Sequence, residues 1–312
     1  MFQLYKVRSF SDLINDTFAF FRVHGKSYFK NYFIVNGGML LVLLVLMYIV
    51  GQVFMDTIFS SFGTSRPDRL IEEYFNSNFG LFAGAMILGM LLILVLTLLS
   101  YSYPVIYLKL LETGKTPATK DIVSALWAKA GRMTLFSLLW LITFFPILII
   151  LSLLSLVLVV IMIGIPFAII IFAAATSWMC LSFYDYLNNN TGYFEAMKNG
   201  FNMVFQNFWP HVGATAIFYI IVSVIHGIVS FVPYFIGIFS LLSESGGTSE
   251  NPAQYSFFGL MVLLTFMLAT AFSYILGNLL FVSQGMIYYS ASEENENQSL
   301  HSEIDKIGLD SE

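Results

Sequence analysis

The stretch that decides the fold is Met133–Phe183, MTLFSLLWLITFFPILIILSLLSLVLVVIMIGIPFAIIIFAAATSWMCLSF, in which no Asp, Glu, Lys or Arg occurs. Uncharged stretches also cover residues 79–108, 199–243 and 251–292. A helix needs about 20 apolar residues to cross the hydrocarbon core of a bilayer, and a water-soluble core needs no apolar run as long as these. The chain is therefore predicted to be an all-α, polytopic membrane helix bundle.

The composition points the same way. Of the 312 residues, 58% are hydrophobic and 11% are charged, whereas a soluble domain carries roughly 25% charged residues. The net charge of −5 comes largely from residues 293–312, which hold seven acids and one base. This balance excludes a basic surface for nucleic acid. The single cysteine, Cys180, lies in an apolar run, so an intramolecular disulfide and a CxxC site are both excluded.

The uncharged stretches divide into six predicted spans. Residues 133–183 are too many for one helix and have the length of two helices joined by a tight turn. The turn is predicted near residues 155–159, with Gly164 and Pro166 as a second candidate position. The last span is longer than a bilayer needs, so its end is expected to continue into water as helix. The predicted spans are 33–55, 79–107, 133–156, 160–183, 211–240 and 257–290.

The distribution of Lys and Arg predicts the orientation. If the N-terminus lies inside, the inside segments hold twelve of these residues and the outside loops hold only Arg66 and Arg69. Positive residues favour the cytoplasmic side of a membrane. Both termini are therefore predicted to be cytoplasmic, and the family resemblance described below implies that the membrane is a bacterial inner membrane. Residues 1–292 form the predicted membrane domain, and residues 293–312 form a predicted disordered acidic tail.

Three inside segments have the spacing of amphipathic helices. Each begins at an acidic residue, which is Asp12, Asp121 or Glu195. An aromatic residue follows six positions later, which is Phe18, Trp127 or Phe201. Such helices lie among the lipid headgroups with the apolar stripe facing the acyl chains, so these three aromatic residues are predicted interfacial anchors. The stripes comprise Phe10, Leu13, Ile14, Phe18 and Phe21; Ile122, Leu126, Trp127 and Met133; and Phe194, Met197, Phe201, Val204, Phe205 and Phe208.

Each amphipathic stretch precedes a hairpin of two spans. This order predicts a three-fold internal repeat of one amphipathic helix and two spans. The alternative is that any two amphipathic interfacial helices align in this way. Ser11 and Thr119 are expected to cap their helices, and the acidic residues suit the positive end of a helix.

A segment of the third repeat carries a family resemblance. Residues 192–209, GYFEAMKNGFNMVFQNFW, place an acid, Ala, an apolar residue, two polar residues, a small residue and an aromatic residue before an Asn-Phe-Trp ending. Together with the opening helix at 10–18 and the Tyr-Tyr ending at 286–289, this segment resembles several six-span bacterial families. They are UPF0259, DUF975 and the membrane domain of some glycerophosphodiester phosphodiesterases. The resemblance implies a six-span fold but no activity, because no catalytic barrel is expected after the last span.

The chain is expected to be non-enzymatic, with no catalytic, cofactor-binding or metal-binding residues. Of its four histidines (His24, His211, His226 and His301), only His226 lies within a predicted span. One intramembrane histidine does not make an iron or zinc site. This disfavours the carotenoid-cleaving oxygenase activity that is named for some proteins resembling this one.

Three polar residues within the spans, His226, Asn278 and Gln284, are weak candidates for function. An ionisable side chain at bilayer depth is a functional candidate by default, but His226 is expected to be neutral and bonded to Ser223, Ser230 or a backbone carbonyl. Amides usually form hydrogen bonds between helices, and a polar transport path is the alternative. No Asp, Glu, Lys or Arg is expected to be buried, which disfavours ion-coupled transport.

These features favour a non-enzymatic membrane protein that organises the membrane or binds a partner. The expected partners are the lipid bilayer and another membrane protein, and no cofactor is implied. A permease-like transporter of an apolar or amphiphilic small molecule is the alternative, and a membrane enzyme is the third interpretation. A buried charge pair would favour the transporter, whereas a cluster of His, Asp or Glu would favour the enzyme.

Overall fold

The computed structural model describes residues 2–61, 72–73, 75–160, 164–243 and 252–296. Helices account for most of these residues, and none of them lies in a strand, so the predicted all-α class is confirmed. The long helices are α1 Phe10–Tyr32, α2 Gly38–Ser61, α3 Phe79–Leu111, α4 Thr119–Val160, α5 Gly164–Asn188, α6 Tyr193–Gln206, α7 Phe208–Ser243 and α8 Pro252–Glu296.

Six helical segments among the described residues are long and apolar enough to cross a membrane. The chain is therefore a multi-pass membrane protein, as predicted. Several segments exceed the predicted spans because the helix continues past its apolar stretch into polar residues, which keeps backbone groups hydrogen-bonded. The six segments are Phe10–Met55, Phe79–Leu111, Thr119–Val157, Gly164–Asn188, Phe208–Leu242 and Ser256–Asn295.

The three amphipathic stretches differ in how they join their spans. α1 continues into α2 through a π-helical segment, Phe33–Gly37, and the second stretch is the beginning of α4. Of the three, only α6 is a separate helix. It ends at Asn207, where the backbone turns away from helical geometry (φ −132°, ψ 66°).

The helix starts follow the prediction in their acids but not in their caps. Asp12, Asp121 and Glu195 lie in the first turns of α1, α4 and α6. The N-cap of α1 is Ser9 and not Ser11. The amide of Asp12 donates to Ser9 Oγ at 3.3 Å, and the amide of Ser9 donates to Asp12 Oδ2 at 3.2 Å. This reciprocal capping box gives the backbone amides of Ser9 and Asp12 hydrogen-bond acceptors. Ser11 cannot take this role because it already lies within the first turn of α1.

Two further expectations about helix ends are wrong. Residues 155–159, the predicted turn, are helical, because α4 runs through Val160 and α5 begins at Gly164. That start is at the second candidate position, where Gly164 and Pro166 suit a helix beginning better than the apolar residues before them. Thr119 is the first residue of α4, but its hydroxyl donates to Asn31 Oδ1 at 2.7 Å and does not cap the helix.

The first four residues of the predicted acidic tail belong to α8. Glu293 is buried, and the next two side chains bond to residues at the end of α6. Asn207 Nδ2 donates to Glu294 Oε2 at 2.6 Å, and Asn295 Nδ2 donates to Gln206 Oε1 at 3.0 Å. The rest of the predicted tail, 297–312, lies outside the described residues.

The chain divides into two compact units. Unit 1 comprises Met1–Val35, Leu98–Val222 and Asn278–Glu312, and unit 2 comprises Asn36–Thr97 and Ser223–Gly277. The core of unit 1 is built on one end of each of three helices, α3, α5 and α8. Every residue of 102–108, 180–187 and 282–293 is buried. A helix segment that is buried on all sides has protein on all sides, so these three segments form the centre of unit 1.

Gly285 marks the place where the three buried segments meet. A Cβ atom at Gly285 would lie 2.3 Å from Leu108 Cδ1 of α3 and 2.7 Å from Tyr184 Oη of α5. Only glycine allows so close an approach. α3, α5 and α8 are the second spans of the three predicted repeats, and their equivalent burial agrees with a three-fold repeat.

Unit 2 has a smaller core, in which Leu40, Leu43 and Leu96 are buried. Its helices approach closely at two glycines. A Cβ at Gly51 would lie 2.3 Å from Leu263 Cδ1, and a Cβ at Gly237 would lie 2.9 Å from Met261 Cβ. Large apolar side chains cover the outside of the spans in both units, which is the surface that a bilayer requires and water disfavours.

Candidate functional site

The two intramembrane amides, Asn278 and Gln284, are fully buried in unit 1. Tyr28 Oη donates to Asn278 Oδ1 at 2.7 Å, and Gln284 Nε2 donates to Thr215 Oγ1 at 2.9 Å. These bonds join α8 to α1 and to α7. Both amides therefore act as interhelical contacts, the role that such residues usually have in membranes.

The contact at Gln284 continues through a chain of hydrogen bonds. Thr215 Oγ1 donates to the carbonyl of His211 at 2.8 Å, and His211 Nδ1 lies 2.8 Å from the carbonyl of Met203 in α6. His211 is buried. This series of hydrogen bonds thus links α8, the first turns of α7 and the end of α6. Gln284 Oε1 is buried and has no hydrogen-bond partner among the described residues.

His226 lies in unit 2 and is half-buried. Its side chain makes no hydrogen bond within the described part of the chain, and Ser230 Oγ is likewise without a partner there. The expected bond of His226 to Ser223, Ser230 or a backbone carbonyl is therefore not formed among the described residues. His226 belongs to unit 2, whereas the two amides belong to unit 1.

The expectation that no charged residue is buried is wrong. Arg8, Asp185 and Glu293 are buried in unit 1. Asp185 and Glu293 lie two and three residues beyond predicted spans, and Arg8 lies before the first amphipathic stretch, so the sequence pattern indicates exposure to water for all three. They are covered because the helix ends in unit 1 pack against one another and against the amphipathic stretches.

Arg8 is held by five hydrogen bonds. Its Nε donates to Asp16 Oδ2 at 2.9 Å, and its two Nη atoms donate to the carbonyls of Leu4, Lys6 and Gln3 at 2.7 to 3.1 Å. The Arg8 amide donates to Ser290 Oγ of α8 at 2.8 Å. Burial lowers the pKa of the Arg8 guanidinium, and the bond to Asp16 opposes that shift. The residues before α1 are thereby fixed against the core.

Asp185, at the end of α5, joins the loop that follows α5 to α6. Its carboxylate accepts hydrogen bonds from Asn189 Nδ2 at 2.8 Å, Thr191 Oγ1 at 3.0 Å and Asn199 Nδ2 at 3.0 Å. These bonds fix the loop between α5 and α6 and the middle of α6.

Arg132 of α4 supports the same loop from the other side. Its Nη2 donates to the carbonyl of Tyr186 at 2.8 Å and to that of Thr191 at 2.7 Å. The guanidinium lies 4.0 Å from the centre of the Tyr186 ring, a cation–π contact. Asp185 and Arg132 together set the direction in which the chain enters α6. The spacing of these residues in the sequence carries no motif that could have identified this role.

The three predicted anchors are exposed in the structure. The exposed fractions are 45% for Phe18, 77% for Trp127 and 42% for Phe201. The apolar stripes to which they belong, however, contain both exposed and buried residues. Leu13, Ile122, Leu126, Met133 and Val204 are buried in the core of unit 1 and cannot face lipid.

α6 shows the division most clearly, because its residues form three separate faces. The face toward α5 comprises Tyr193, Ala196, Gly200, Met203 and Val204, which are buried. A second face carries the exposed rings of Phe194, Phe201 and Phe205, and a third carries the exposed Glu195, Lys198, Asn202 and Gln206. One helix therefore presents a protein contact, an aromatic surface and a polar surface.

No group of three or more His, Cys, Asp and Glu side chains that could hold a metal ion occurs in the described part of the chain. Unit 2 contains a cavity of about 250 Å³ between α2 and α8, lined by Tyr48, Gln52, Met55, Ser256, Phe257, Leu260 and Leu263. Comparisons of the chain with protein-family models, with curated proteins and with solved structures found no match.

Proposed function

We propose that this chain is a non-enzymatic protein of a bacterial inner membrane, with both termini in the cytoplasm, and that it organises the lipid of the cytoplasmic leaflet. The observation that carries the proposal is the three-faced helix α6. Its aromatic face suits the acyl chains, its polar face suits the headgroups and water, and its small residues pack on α5. The lipid bilayer is thus the proposed partner.

Two further features support an anchored helix over a mobile one. The loop before α6 is fixed by Asp185 and Arg132, and the residue after α6 bonds to Glu294 of α8. α6 therefore cannot rotate its aromatic face freely. Twelve of the Lys and Arg residues are predicted on the side of the membrane that holds the N-terminus, and two on the other side. This distribution supports the cytoplasmic placement of α6. Asn278 and Gln284 give the permease alternative little support, since both are engaged in interhelical hydrogen bonds.

The proposal is tested by the effect of purified protein on lipid packing in vesicles of bacterial phospholipid, measured with a polarity-sensitive membrane dye. The wild type is expected to loosen headgroup packing. A variant with Phe194→Ser, Phe201→Ser and Phe205→Ser should lose this effect. A control variant with Glu195→Ser and Asn202→Ser, on the polar face, should keep it. If the first variant were folded and as effective as the wild type, α6 would not organise lipid.

A further inference from the structure

The cavity of unit 2 has a defined position along its two helices. On α2 it is lined by Tyr48, Gln52 and Met55, and on α8 by Ser256, Phe257, Leu260 and Leu263. The lining residues are spaced by four and three residues on α2, and by one, three and three residues on α8, so each helix contributes one face. At the deep end the helices touch, because a Cβ at Gly51 would lie 2.3 Å from Leu263 Cδ1.

The cavity extends from that contact to the ends of the two candidate spans. The uncharged stretch of the first span ends at Met55, because residue 56 is an aspartate, and the last predicted span begins at 257, next to Ser256. Leu263 lies seven residues farther along α8, which is about 10 Å at the rise of an α-helix. The cavity therefore covers the depth at which the ester groups of phospholipids lie and the first carbons of their acyl chains follow.

Three of the described residues that line the cavity are polar. Tyr48, Gln52 and Ser256 make no hydrogen bond among the described residues. All three are exposed on the surface of the protein, and all three can donate a hydrogen bond. At the level of the lipid esters, the cavity therefore suits a molecule that supplies acceptors.

The remaining lining restricts the chemistry of that molecule. Met55, Phe257, Leu260 and Leu263 are apolar, and none of the described lining residues is charged. A cavity of about 250 Å³ has the volume of about eight water molecules. It can hold one segment of a lipid and not a whole one. An ester carbonyl followed by an acyl chain meets each requirement, because it combines an acceptor, no charge and an apolar chain.

We propose that this cavity binds the acyl-ester end of a glycerophospholipid. The first carbons of the chain lie on Leu260 and Leu263, and the ester carbonyl accepts a hydrogen bond from Gln52 Nε2. Because the described lining is uncharged, the site selects for the ester and not for the headgroup. None of its lining residues belongs to α6, and the inference does not depend on the function proposed above.

The test uses the full chain in nanodiscs that contain a phospholipid with a photoactivatable diazirine in one acyl chain. Crosslinked peptides are mapped by mass spectrometry, with competition by an ester phospholipid or by its ether-linked analogue with the same chains and headgroup. We expect crosslinks at 48–55 and 256–263 to exceed those on other lipid-facing helices at least five-fold. The ester lipid should compete at least three-fold better than the ether lipid.

Two variants distinguish the parts of the site. Leu260→Trp fills the cavity and should remove the excess crosslinking, whereas Leu91→Trp, at an exposed position of α3, should not. Gln52→Leu preserves the size of the side chain and should abolish the difference between ester and ether competitors. If Leu260→Trp does not fold, Gln52→Leu decides. Even labelling of all lipid-facing helices, or equal competition by the two lipids in the wild type, would overturn the proposal.

Discussion

Gly200 of α6 lies against Ser182 of α5 so closely that a Cβ atom at Gly200 would be 2.2 Å from Ser182 Oγ and 2.6 Å from its backbone nitrogen. The hydroxyl can rotate away, but the backbone cannot. α6 is therefore seated on α5 at a fixed distance, and this contact determines which residues of α6 remain outside.

The first prediction follows from that contact. Gly200→Ala should destabilise the protein by about 1–3 kcal/mol, because an added methyl group must displace α6 from α5. Unfolding in detergent measures the change. Gly131→Ala in α4 is the control, since no atom lies within 4 Å of its added Cβ, and it should be neutral or stabilising. Equal stability of the Gly200→Ala variant and the wild type would contradict the described packing.

A second prediction concerns the buried carboxylate. Asp185→Asn replaces an acceptor oxygen with an amide group, so at least one of the donors from Asn189, Thr191 and Asn199 loses its acceptor. The expected cost is about 1–3 kcal/mol in the free energy of unfolding. Glu195→Gln, on the exposed face of α6, is the control and should change stability by less than about 0.5 kcal/mol. Similar losses in both variants would argue against a special role for Asp185.

A third prediction concerns the intramembrane histidine. His226 has no hydrogen-bond partner among the described residues, so His226→Leu leaves no group unpaired. We expect the variant to fold and to differ from the wild type by less than about 0.5 kcal/mol. Thermal unfolding in detergent measures the difference. A loss of several kcal/mol would reveal a partner for this side chain.

The topology is tested by labelling single cysteines in intact cells, in a Cys180→Ala background. A membrane-impermeant maleimide added from outside should label Arg66→Cys and spare Lys26→Cys and Lys198→Cys, as the Lys and Arg distribution predicts. Permeabilised cells should allow all three to react. Labelling of position 198 in intact cells would contradict the six-span arrangement.

The spans can be predicted well from the sequence because long stretches contain no charged residue. Charged side chains are excluded from these stretches because a charge in the hydrocarbon core of a membrane is unfavourable. The sequence also predicts that Phe18, Trp127 and Phe201 are exposed, because helical spacing places them on an apolar face. The same spacing cannot separate lipid-facing from protein-facing residues. Leu13 and Ile122 lie on those faces and are buried in the core, because an apolar side chain is equally stable against lipid and against other apolar side chains of the protein.

The sequence pattern does not predict the burial of Arg8, Asp185 and Glu293, for a related reason. Asp185 lies two residues beyond a predicted span, where a carboxylate is expected in water. Its donors lie 4, 6 and 14 residues further along the chain, and the longest of these separations becomes a contact only once α6 packs on α5. The prediction of a turn at 155–159 rests on the length of the uncharged stretch. That length indicates how many helices the stretch contains, but it does not indicate the residue at which one helix ends and the next begins.

Spin labels at two adjacent positions test whether α6 lies in the membrane interface with its aromatic face in lipid. Labels replace Phe201 and Asn202 in a Cys180→Ala background, and their accessibility to oxygen and to a water-soluble nickel chelate is measured in bilayers. We predict that the label at 201 is relaxed more by oxygen and the label at 202 more by the nickel chelate. Equal relaxation of both labels by the nickel chelate would place α6 in water and contradict its interfacial position.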